Sequence, residues 1–263
     1  MIFGLVSQPQ SIIKKFETSI PDKLELPPNY NIRPTHPTLF LSSAKPNIFT
    51  IYRYGMVPSG SNHEKILFEA PVENPNKPTH DTILTKDIIL NQDTRNQIRS
   101  QRGIIPVDYF IVQSEQGKPY LFFMKDKKRP FGIGCVWDAW KKNILDELVY
   151  GFAVISVPVY GEFAKIGIKQ VPLVIAESYY KRWLKKDTHL SSITALLNPI
   201  DEYILNGYPI SDKILNCVDN ERALIEPVGK LVVKDEKTVI SFERKGHKKH
   251  KGNGMEWGKR LRN

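Results

Sequence analysis

Between Leu39 and Val159 the chain carries six segments dense in β-branched and aromatic residues: LFLSS, IFTIYRYGMV, GIIPVDYFIV, PYLFFMK, FGIGCVW and FAVISVPV. Branching at Cβ restricts χ1 against a helical turn, whereas such side chains pack well on a pleated surface. The expectation is an α+β fold: a curved, mainly antiparallel, barrel-like β core with peripheral helices. IIPVDYFIVQ and KPYLFFMK, joined through Ser114 to Gly117, read as a hairpin.

Helical signals lie outside this core. Ile12, Ile13, Phe16 and Ile20 recur at helical spacing, with Ser11 as a candidate cap. Glu177 to Lys186 (ESYYKRWLKK) reads as an amphipathic helix, and Ile193 to Asn206 as one or two more, broken by Pro199. The proline-rich stretch Pro21 to Pro37 is expected to carry no regular element, and Lys230 to Phe242 reads as a closing hairpin. The domain is therefore expected over residues 1–242, with a basic, disordered tail over 243–263.

Composition narrows the function classes. Hydrophobic residues at 41% and aromatics at 10% are ordinary for a folded domain. No apolar run approaches the roughly 20 residues of a membrane helix, and Met1 to Val6 is too short for a signal sequence, so a cytoplasmic protein without membrane contact is expected. Cys135 and Cys217 are too few for a disulfide framework and lack metal-ligand spacing; both read as small buried hydrophobes. The six histidines are scattered among loops and lysines. No metal site and no cofactor is expected, since no phosphate loop, GxGxxG, GxSxG or HExxH motif occurs.

The net charge of +10 points to an acidic partner such as nucleic acid. Its distribution is uneven: Arg244 to Asn263 holds eight Lys or Arg against the single acid Glu256, so seven of the ten net charges lie there. Two readings of this tail stand, a solvated arm, or a phosphate-binding arm that uses Lys248, Lys249, Lys251, Lys259 and Arg260 with Trp257 for base stacking.

Five blocks in order resemble the SOS-response-associated peptidase (SRAP) family. They are Asn29-Tyr30-Asn31-Ile32-Arg33-Pro34, Tyr52-Arg53-Tyr54-Gly55-Met56-Val57-Pro58-Ser59, Arg102-Gly103-Ile104-Ile105-Pro106-Val107-Asp108-Tyr109-Phe110, Lys118-Pro119-Tyr120 with Phe131 to Trp137, and Phe152 to Ser156 with Gln170 to Ile175. The resemblance implies the family's fold and recognition of abasic sites in single-stranded DNA, through a cysteine exposed after removal of the initiator methionine. Here the second residue is Ile2, whose bulk is expected to retain Met1, so the family's thiol-dependent link is not expected to form.

The other matched positions depart as well. Glu69 stands at the family's asparagine, Pro71 at its DNA-contacting arginine, Val112 at its catalytic glutamate and Gln113 at the following tryptophan, while Ile168 replaces the histidine and Gln170 the arginine. Valine and isoleucine transfer no protons. The resemblance thus implies a pseudoenzyme that binds single-stranded or abasic DNA without a covalent bond, with Arg53, Arg102 and Lys118 at the groove rim. The alternative is a protein-interaction module whose groove has closed around apolar side chains. A peptidase or lyase built on Ser59, Ser156 or Tyr109 would need a partner base that the sequence does not reveal.

Overall fold

The computed structural model describes residues 1–59, 65–74, 86–141, 147–198 and 204–233, and Met1 to Val233 form one compact unit. The β-rich runs fold as β3 (Pro37–Ser42), β4 (Lys45–Tyr54), β6 (Arg102–Val107), β9 (Phe131–Trp140) and β10 (Val149–Pro158), preceded by β1 (Ile2–Leu5) and β2 (Asn29–Ile32). The short β5 (Glu69–Pro71) lies between β4 and β6 in sequence. The expected hairpin is β7 (Tyr109–Gln113) against β8 (Pro119–Met124), turning at Gly117 with φ +80°. Three further strands follow: β11 (Gln170–Pro172), β12 (Val174–Ile175) and β13 (Leu205–Pro209).

Strands β10, β4, β3, β6 and β9 hydrogen-bond in that order, and β9 pairs back onto β10 from Trp140↔Val149 to Cys135↔Val154, closing a barrel. Closure leaves no long free edge. All joints of the barrel are antiparallel except β4–β10, and β5 also joins β10 in parallel. The interior is filled by Phe40, Tyr54, Ile104, Ile133 and Phe152, each fully buried, with Tyr54 and Phe152 stacked at 5.2 Å. Each such ring removes on the order of 150–250 Å² from water, which makes aromatics dominant in the barrel's stability.

A second, five-stranded sheet runs β13-β8-β7-β1-β2. The chain crosses from barrel to sheet at a single residue, Asp108, between β6 and β7. Its main-chain N–H donates to Gly4 O at 2.7 Å. Its carboxylate accepts from Val6 N, Ser7 N and Ser7 Oγ at 2.6, 2.7 and 2.5 Å. This corner fixes β1, whose Phe3 pairs with Phe110 of β7. Gly4 is required there, because a Cβ at that position would lie 1.9 Å from the Tyr109 ring.

Among the described residues the α-helices are α1 (Pro9–Phe16), α2 (Asp87–Leu90), α3 (Gln97–Ser100), α4 (Gly161–Lys165), α5 (Tyr180–Leu184), α6 (Leu190–Thr194) and α7 (Lys213–Asn216). Four local expectations are corrected. Helix α1 starts with Pro9 in its first turn after Gln8, so Ser11 lies inside it, as suits a residue whose missing N–H costs nothing there. The proline-rich stretch does contain a strand, β2, because β1 offers it a partner at Phe3↔Ile32. Asn206 lies in β13 and not in a helix, paired with Phe123. Cys217 is half-buried, its Sγ 2.9 Å from Asp219, whereas Cys135 is fully buried as expected. The expected closing hairpin lies almost wholly outside the described residues. None of the described helices is long and apolar enough to cross a membrane.

Candidate functional site

The pairing of β1 with β7 carries the start of the chain to the edge of a cavity of about 260 Å³. Met1, Ile2 and Glu69 line it together with Ile111, Val112 and Gln113 of β7, Gln170 and Leu215. Five positions that the family resemblance singled out, Ile2, Glu69, Val112, Gln113 and Gln170, thus meet in one cavity although up to 168 residues separate them in sequence (170 minus 2).

Each has a definite environment. The Met1 main-chain ammonium lies 3.3 Å from Glu69 Oε1, and the Glu69 side chain is 39% exposed. Behind this pair Tyr54, fully buried, directs its hydroxyl at Met1 O over 3.5 Å. Burial pushes the Tyr54 hydroxyl well above its usual range, and the charges of Glu69 and Cys135 add to that, so it remains a protonated donor. Gln170 accepts from Ser156 Oγ and donates to Glu73 O, both at 2.9 Å, and so ties β10 and β11 to the segment after β5. Val112 is buried at the cavity wall and Ile168 is buried outside its lining.

Glu69 is the one ionisable side chain among the lining residues. A general acid and base need titratable groups within hydrogen-bond reach of the reacting atoms; at this cavity the titratable groups are the Glu69 carboxylate and the Met1 amine, flanked by valine, isoleucine and two amides. No group of three or more His, Cys, Asp or Glu among the described residues is placed to hold a metal ion.

The expected rim residues do not gather at this cavity. Arg53 is exposed on β4, opposite Pro37 and Gly151. Lys118 is exposed near Tyr120, its Nζ 5.8 Å from the ring, and lines a second, open cavity of about 440 Å³ with Gln116, Ser211 and Asp212. Arg102 is corrected outright: it is fully buried. Its guanidinium donates to Trp183 O at 2.8 Å, Ile98 O at 2.9 Å, Lys185 O at 2.5 Å, Lys186 O at 3.5 Å and Arg99 O. Desolvation lowers its pKa to about 10, which leaves it cationic at neutral pH. Lys248, Lys249, Lys251, Trp257, Lys259 and Arg260 lie outside the described residues.

Sequence reasoning missed three contributors. Asp108 and Tyr54 entered only as members of matched blocks, Asp108 as the one charged residue inside the run GIIPVDYFIV. Leu215 reaches the cavity because Arg33 donates to Leu215 O at 2.9 Å and to Ile214 O, while Asn31 donates to Cys217 O and Asp219 O. The candidate nucleophiles are dispersed: Ser156 is buried against Gln170, Tyr109 Oη donates to Tyr30 O at 3.0 Å, and Ser59 N donates to Asp138 at 2.7 Å.

A comparison with curated protein sequences gives no match. Among solved structures, a protein from Bacteroides thetaiotaomicron superposes with a TM-score of 0.72 at 15% identity, over 86% of this chain and 98% of that one. A Bordetella bronchiseptica protein gives 0.62 at 16% identity over 80% and 99%, and a phage-related protein of the same organism gives 0.57 at 17% over 80% and 93%. Residues 3–217 match the family described as SOS response associated peptidase (SRAP). That match spans the barrel, the second sheet and six of the eight residues that line the cavity, all but Met1 and Ile2, and the chain belongs to the SRAP family.

Proposed function

We propose that this protein is a catalytically degenerate SRAP member that binds single-stranded or abasic DNA without forming a covalent bond. The observation that carries the reading is the cavity itself: Ile2, Glu69, Val112 and Gln170 line it, with no thiol among them and an aliphatic Val112 at the position where the family resemblance calls for the catalytic glutamate. Membership in a family tied to the SOS response supports a role connected with DNA damage. The net charge of +10 supports a polyanionic partner. In this reading Arg53 and Lys118 meet phosphates at exposed positions, and the cations of the tail, Lys248, Lys249, Lys251, Lys259 and Arg260, add affinity, with Trp257 stacking on a base. The protein works in the cytoplasm.

The reading of the cavity as a closed remnant inside a protein-interaction module is less well supported, since about 260 Å³ remains open beside Glu69. The deciding experiment titrates the full chain and a variant ending at Phe242 into fluorescent single-stranded DNA, with and without an abasic site. A salt series and a denaturing gel complete it. Binding that weakens steeply with salt and leaves no band on the gel is the expected result. A gel-stable band, with or without borohydride reduction, overturns the non-covalent reading, and absence of binding overturns the DNA reading.

A further inference from the structure

The guanidinium of Arg102 lies where two short helices end. It gathers carbonyls of residues 98 and 99 at the end of α3 and of 183, 185 and 186 at the end of α5. Carbonyls at helix C-termini carry partial negative charge and repel anions when left open. Here they are turned inward onto a buried cation, and the side chains of the same residues point the other way: Arg99, Lys185 and Lys186 are exposed, as are Lys181 and Arg182.

The charge of this surface is one-sided. Five cations, Arg99, Lys181, Arg182, Lys185 and Lys186, face two acids, Glu17 at 2.6 Å from Lys181 and Asp187 at 3.8 Å from Lys185, a net of three positive charges. Glu177 beside it is neutralised by Lys15. Arg182 lies 5.5 Å from the centroid of the Tyr179 ring, which is 39% exposed. A guanidinium stacked on an aromatic ring presents a flat face of the kind on which bases stack.

We infer that this ridge over Arg102, comprising Tyr179, Lys181, Arg182, Lys185 and Lys186 with Arg99, is a second binding surface for single-stranded nucleic acid, separate from the cavity beside Glu69. None of its residues lines that cavity. The inference rests on the DNA-binding reading above. Lysines on flexible helices bind phosphate at the cost of ordering their backbone; Arg102 has already fixed the main chain beneath three of the cations, so only side-chain freedom is lost on binding. A flat aromatic element with fixed cations fits a nucleic acid better than an acidic peptide, which offers no planar groups to stack.

The test measures the affinity of the full chain and its variants for a fluorescein-labelled oligothymidylate between about 50 and 300 mM salt, the range in which phosphate contacts dominate. For the triple variant R182E/K185E/K186E the slope of log affinity against log salt is expected to fall by about 2, near 0.7 for each lost phosphate contact on a single strand. Tyr179→Ala is expected to weaken binding about fivefold or more with an unchanged slope, as loss of one stacked base does. The charge-keeping variant R182K/K185R/K186R is expected to retain the slope, and a common thermal midpoint across the set excludes misfolding as the cause. If the wild-type chain binds and the triple variant keeps its slope and affinity, this inference is wrong while the DNA reading stands. If the wild-type chain fails to bind, both fall. Equal retention of polyglutamate and oligothymidylate by the wild-type chain, lost together in the triple variant, overturns the nucleic-acid assignment in favour of acidic proteins.

Discussion

The molecule has two charged centres that contrast in every respect. Arg102, in the barrel wall, is fully buried and meets five carbonyl oxygens. Glu69, at the cavity, is 39% exposed and meets one amine at 3.3 Å. A buried charge must have its hydrogen bonds made, because the alternative is desolvation without compensation. An exposed one needs nothing, because water serves it. Arg102 thus serves the fold with its donors met by main-chain carbonyls, whereas Glu69 is left largely to solvent at the cavity. Residues that hold the structure and residues that line the cavity can therefore be tested apart.

The largest test of that contrast is Arg102→Met. It keeps the aliphatic bulk but strands carbonyls at the ends of α3 and α5, and a loss of about 3–5 kcal/mol is expected, in line with truncating one side of a buried ionic network. Urea unfolding followed by fluorescence measures it. A loss under about 1 kcal/mol would mean that water enters and replaces the guanidinium, and the contrast would fail.

Asp108→Ala comes next. It removes the acceptor of Val6 N, Ser7 N and Ser7 Oγ, and a cost of about 2–3 kcal/mol is expected, since charge-assisted bonds are worth more than neutral ones. The more telling readout is local: faster amide exchange of Val6 and Ser7 would show that the corner, and not β1 alone, holds the chain start at the cavity.

Alkali probes the barrel in a third way. Tyr54, Tyr109 and Tyr180 all have hydroxyls raised above the usual range, in each case chiefly by burial. The sign follows from linkage: a raised folded-state pKa contributes stability that is fully present below the unfolded value of about 10 and is lost as pH rises above it. Each tyrosine should cost about 1.4 kcal/mol per pH unit beyond that point. Thermal midpoints between pH 8 and 11 are expected to hold and then fall, and Tyr54→Phe should make the fall shallower. An unchanged slope in that variant would place Tyr54 in contact with water.

How much of this was legible in the sequence depends on how far apart the partners lie. The barrel strands and the β7–β8 hairpin were legible because period and turn chemistry are local: Gly117 and the flanking apolar runs decide them. Strand β2 was not, since the flanking Pro27, Pro28 and Pro34 argue against regular structure and only β1 pairs with it as a strand. The cavity was half legible. Ile2, Glu69, Val112 and Gln170 were named through a family pattern and do converge, yet Arg102 was misread, because an arginine in a β run looks solvent-seeking until carbonyls 81 to 84 residues away close on it. Long-range satisfaction of a polar group leaves no trace in a local pattern.

The smallest expected effect completes the comparison. Glu69→Gln removes the carboxylate charge and keeps its shape, and because the ion pair with Met1 is exposed its loss should change stability by less than about 1 kcal/mol. The same substitution takes a negative charge away from the cavity mouth, so affinity for single-stranded DNA should rise a few-fold at low salt, and the gain should vanish as salt screens the site. The two readouts separate the roles that Arg102 and Glu69 are assigned. Stability that drops by several kcal/mol would make Glu69 a second structural anchor, and an affinity that falls instead of rising would mean that the carboxylate itself touches the ligand, accepting from a base or a sugar hydroxyl.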